Sequence, residues 1–142
     1  MSLTPEQVRE STGFDVGTFV KKVKDEIGVG RVRLNFDGNS NRAHAHYEGN
    51  VCAISLPTRD AIKRSLGFDD KTAVAKMKAG LTEELCHCRE HETDHSERVV
   101  SCTIDMMQKH LTQDELNLDY IKEKQERLKR SPQIVQLTPI PS

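Results

Sequence analysis

Residues 83–97 read Glu83-Glu84-Leu85-Cys86-His87-Cys88-Arg89-Glu90-His91-Glu92-Thr93-Asp94-His95-Ser96-Glu97, and they place three of the chain's six histidines within nine positions. On a helical wheel with Glu83 at about 0°, His87 falls at about 40°, His91 at about 80° and Glu84 at about 100°. Alongside them Val74, Met77, Leu81, Leu85 and Cys88 form an apolar stripe about 100° wide. The segment from Asp70 to about His91 is therefore expected to be a helix whose core face is bordered by side chains that move protons or hold metals. Ligands four apart on a helix lie about 5 to 6 Å apart at Cβ and converge on one ion, whereas positions eight apart are separated by about 12 Å along the axis. His87, His91 and His95 thus cannot share an ion on an unbroken helix. Asp94-His95-Ser96-Glu97 has the spacing of a capping box, with Asp94 as cap and Glu97 reaching back. A break near Thr93 is what would turn His95 toward the helix.

Upstream, Thr4-Pro5 is a helix start, and after an interruption at Gly13 the residues Val16, Phe19, Val20, Val23 and Ile27 recur at helical steps. Arg31 to Phe36 alternates Val32, Leu34 and Phe36 with polar residues, the period of a half-buried strand, and Asp37 to Asn41 is a turn. Arg42 to Glu48 and Val51 to Leu56 flank Gly49-Asn50 and read as an antiparallel hairpin. Pro57 ends the second of these strands, and Thr58 caps a short helix that runs through Leu66 to Gly67. Downstream, a helix to about His110 is expected to bury Val100, Ile104 and Met107. A second capping box, Thr112 to Glu115, starts a last helix ending in Lys122 to Arg130. The fold class is α+β: a small three-stranded sheet with a hairpin, packed on the central motif helix. Residues 1–130 form a single domain, and 131–142, with three of the five prolines, a flexible tail.

Bulk properties narrow the function classes. A chain of 142 residues holds one core, which excludes two separate catalytic domains. With 35% hydrophobic and 30% charged residues it has an ordinary globular composition. No apolar run approaches the roughly 18 residues of a spanning helix, and Met1 to Arg9 is polar, so the expectation is a cytoplasmic protein without a membrane partner. The balance of 21 basic against 22 acidic residues gives no general field for nucleic acid. The basic excess in Lys122 to Arg130 lacks interleaved aromatics and suits a helix C-terminus. Cys52, Cys86, Cys88 and Cys102 are unevenly spaced, which favours free thiols or a metal site over a disulfide framework.

Glu83-Glu84-Leu85-Cys86-His87, followed by a turn and Asp94-His95-Ser96-Glu97, resembles the His-Glu-x-x-His zincin metallopeptidases in a compact form where a third ligand follows the motif helix. The order of helix, strand, hairpin ending in Ile54-Ser55-Leu56-Pro57 and motif helix resembles that family as well, over roughly Val16 to Met107. The resemblance implies a zinc-dependent hydrolase of protein or peptide substrates. It makes His87 and His95 metal ligands and Glu84 the general base toward metal-bound water. The chain departs from the pattern at Glu83, where the family has its first His. Glu83 or His91 then completes the ligand set, or the site is incomplete.

Two other readings of the same residues stand beside it. His87-Cys88-Arg89-Glu90-His91 matches an inverted His-x-x-Glu-His pattern with Glu90 as base. Alternatively, Cys86, Cys88, His91 and His95 hold a structural zinc in a non-catalytic binding or regulatory module, or that module holds no metal. His44 and His46, two apart on a strand, share a face and are read as polar residues on the solvent side of an edge strand.

Overall fold

Val32, Leu34 and Phe36 meet Cys52, Ile54 and Leu56 in parallel register, so two strands bury one continuous apolar face and leave the intervening Arg31, Arg33 and Asn35 exposed. The structure, a computed structural model, describes residues 2–91 and 96–137, the last seven of these by backbone alone. The elements in chain order are β1 (Ser2–Leu3), α1 (Pro5–Thr12), α2 (Val16–Ile27), β2 (Arg31–Asp37), β3 (His44–Glu48), β4 (Val51–Pro57), α3 (Arg59–Leu66), α4 (Asp70–Glu90), α5 (Glu97–His110), α6 (Gln113–Leu116) and α7 (Asp119–Leu137). The sheet order is β1-β2-β4-β3. β2 and β4 are parallel, β3 returns antiparallel to β4 through the hairpin at Gly49, and β1 adds antiparallel to β2.

The class is α+β as the residue pattern predicts, with a mixed four-stranded sheet in place of three strands. β1 escapes sequence reading because two residues are too few to show a period of two. The second capping box forms at Thr112 with Glu115, but the expected single last helix is split into α6 and α7. α7 runs on to Leu137, beyond the Arg130 at which the charge pattern would end it. The cap of α5 also differs: Ser96, rather than Asp94, accepts from the backbone N–H of Val99. Asp94 itself lies outside the described residues, as do Thr93 and His95.

α4 is the hub. Its expected stripe holds for Met77, Leu81, Leu85 and Cys88, all fully buried. Burial extends further, to every residue from Leu81 to Cys88. The reason is tertiary: α4 lies between the sheet and α5, α6 and α7, and the small residues Ala73, Ala75 and Ala79 let neighbours close on faces a stripe would leave open. At Gly80 an added Cβ would come within 3.1 Å of Leu56 Cδ2, so this glycine lets the helix approach β4.

The cysteines are corrected as well. Cys52 is bonded to Cys88 and Cys86 to Cys102, so none of the four is a free thiol or an available metal ligand. Residues two apart on a helix point about 200° apart, so Cys86 and Cys88 face different neighbours, α5 and β4. Disulfides of this kind persist in oxidising compartments or in proteins of hyperthermophiles, an environment that the expectation of free cytoplasmic thiols left out. No helix among the described residues is long and apolar enough to cross a membrane.

Candidate functional site

The last two turns of α4 carry three buried polar side chains, Glu83 at 8% exposure, Glu84 at 7% and His87 at 8%. Such groups are rarely buried without partners, so these are not the solvated face of a helix. The helix is begun by Asp69, which accepts from Thr72 N–H, and ended by His91 in the left-handed conformation at φ 54°. Near that end the Tyr47 hydroxyl donates to the Cys88 carbonyl at 2.6 Å, beside the His91 N–H that donates to the same oxygen at 3.3 Å.

β3 runs beside α4 in the same direction. Ala43 lies against Gly80 and Tyr47 against Cys88. Four strand residues span about 13 Å and eight helical residues about 12 Å, so the two rows keep step. Between them and α7 opens a cavity of about 440 Å³, whose walls include Arg42, Lys76, Glu83, Glu84, His87 and Lys124. His87 also borders a second cavity of about 230 Å³ with His46, Tyr47 and His91.

Lys124 of α7 donates to Glu83 Oε1 at 2.6 Å, with both side chains almost enclosed. One turn before it, Tyr120 accepts from Lys76 Nζ at 3.1 Å, and that ammonium lies 5.2 Å from the ring centroid. Burial alone would raise the Tyr120 pKa. Lys124, Lys76 and Arg127 outweigh it and hold the phenol below its ordinary value, which marks a positive potential at this end of the cavity. Tyr47 is shifted the other way, upward, by burial.

Thus Glu83, Glu84 and His87 are brought to one cavity wall. His91 is turned into the second cavity, stacked on Tyr47 with ring centroids 4.3 Å apart. His95 lies outside the described residues. Glu90, the base of the inverted motif, borders neither cavity and is held by Arg89 at 2.6 Å and Arg98 at 2.9 Å. His44 and His46 stack on each other, exposed, with ring centroids 6.3 Å apart, and His46 shares a hydrogen bond with Glu48.

Zinc, implied by the family resemblance, is not matched by the described donors. No three His, Cys, Asp or Glu side chains among the described residues form a group able to hold an ion. Glu83 is engaged by an ammonium, and a fixed positive charge at that distance opposes a divalent cation on the same carboxylate. The residues that sequence reading missed are Lys124, Lys76 and Tyr120. Lys124 is hidden in a run that looks like the charged end of an exposed helix, and its partner lies 41 residues earlier in the chain. No local pattern reports such a contact. In comparisons with protein-family models, with curated proteins and with solved structures, the chain matches none.

Proposed function

We propose that the chain is a zincin-like binding module without hydrolytic activity, which takes a protein segment in extended form between β3 and α4. The observation that carries this reading is the enclosed pair of Lys124 and Glu83. It stands at the position where the resembling family has its first metal ligand. The ammonium supplies a positive charge there but offers no open coordination position, so it cannot bind and acidify a water as a metal does. The groove keeps what binding requires. β3 is a terminal strand of the sheet, and its outer edge offers backbone N–H and C=O groups to an added strand beside a cavity wide enough for side chains.

A second reading is favoured by Glu84 and His87 lying buried on one wall of that cavity. It is the zinc-dependent hydrolase, with Glu84 as general base and His87 and His95 as ligands completed by Glu83 or His91. Native mass spectrometry, thermal unfolding with and without chelator, and incubation with unfolded protein substrates separate the two. The module is expected to carry no stoichiometric zinc, to unfold at the same temperature with chelator present, and to leave substrates intact. One zinc per chain that is lost in His87→Ala, with cleavage lost in Glu84→Gln while metal is retained, would overturn the module in favour of the hydrolase.

A further inference from the structure

The groove is not electrically balanced. Its walls carry the cations Arg42, Lys76 and Lys124 against the two carboxylates Glu83 and Glu84. Lys124 is matched to Glu83, and Lys78, on the same helix as Lys76, is matched to Glu115 at 2.7 Å. Lys76 is half-buried, yet among the described residues its partners are the Tyr120 hydroxyl and ring, with no carboxylate. Arg42 likewise has no carboxylate partner among the described residues. A half-desolvated ammonium gains more from an anion than from a phenol, so Lys76 is built to receive one.

Because β3 and α4 keep step, Arg42, next to Ala43, and Lys76, one turn before Gly80, stand at the same end of the groove. We infer that the segment bound between β3 and α4 is acidic, and that Asp or Glu side chains at one end of it are held by Lys76 and Arg42. This inference rests on the peptide-binding reading and names its ligand class. An extended chain paired with β3 would lay the residues next to its acidic end over Glu83, Glu84 and His87. The edge of β3, which no further strand pairs among the described residues, selects a peptide over other polyanions, since only a polypeptide completes the hydrogen-bond ladder.

The test is fluorescence anisotropy with the full chain and labelled, N-acetylated, C-amidated peptides of one length containing Glu, Gln or Lys at the same positions. The Glu peptide is expected to bind about ten-fold more tightly than the Gln peptide, as one or two charge-assisted hydrogen bonds would give. Lys76→Gln with Arg42→Gln should remove that advantage, so that the double variant binds the Glu and Gln peptides with equal affinity. Equal binding of the Glu and Gln peptides overturns the acidic preference while leaving peptide binding intact. Binding of none of the peptides overturns the reading beneath it. Tighter binding of a single-stranded oligonucleotide of the same charge overturns the assignment to a peptide.

Discussion

Lys124 and Glu83 bind two distant parts of the chain through one enclosed hydrogen bond, and the energetics of such a pair are asymmetric. Forming it returns little net stability, because both ions lose water. Removing one partner strands the other charge at a cost of about 3 to 5 kcal/mol. Lys124→Met should therefore lower the stability by about 3 kcal/mol, and adding Glu83→Gln should restore most of it, since the side chain that lost its lysine is then neutral. Urea unfolding of the two variants checks this, and equal stability of Lys124→Met and the parent would show that Glu83 is satisfied without the lysine. The pair also explains what the sequence could not convey at this position. Glu83-Glu84 looks like two ordinary helix carboxylates, and the departure from the His-Glu-x-x-His pattern is visible only as a change of residue. The compensating cation lies in another helix.

At the scale of elements, most of the layout was legible because it is local. Thr4 and Thr58 cap α1 and α3 as hydroxyl caps do, and Gly13, Gly28 and Gly67 close α1, α2 and α3 with positive φ. The hairpin follows from Gly49-Asn50. The pairing of cysteines was not legible, since it depends on which elements α4 touches. Both bonds clamp the end of α4 that carries His87, one to β4 across 36 residues and one to α5 across 16. Loop-closure entropy assigns about 4 kcal/mol to the longer loop and about 3 kcal/mol to the shorter. Peptide mapping without reductant should recover Cys52 joined to Cys88 and Cys86 joined to Cys102. Cys52→Ala with Cys88→Ala should lower the unfolding temperature more than Cys86→Ala with Cys102→Ala. If reductant leaves the unfolding temperature of the parent unchanged, the clamps contribute nothing to holding the site.

Across the whole molecule, surface charge pairs join elements that the core already brings together. Glu26 of α2 is the clearest case. Lys109 and His110 of α5 hold its carboxyl below the ordinary range by hydrogen bonding and charge. Asp70 is lowered in the same way by Lys63, and Asp15 and Asp69 are lowered by the Thr18 and Thr72 groups that their caps engage. For each, the unfolded chain binds protons more readily than the folded one. Their stabilisation is complete above the ordinary carboxylate pKa of about 4 and is lost as pH falls through the lowered folded values. Lys109 has the opposite sign: Glu26 and Asp105 raise its pKa, so its contribution is complete below about 10 and is lost as pH rises beyond that. The unfolding temperature should therefore be flat from about pH 5 to pH 9 and fall on either side. All these groups are exposed, so added salt should shrink the acid-side fall. Glu26→Gln no longer titrates and loses its pairing at every pH, so it should start lower at neutral pH and fall less steeply below pH 4. An acid limb in Glu26→Gln as steep as that of the parent would show that the α2 to α5 contact does not feel the charge of Glu26.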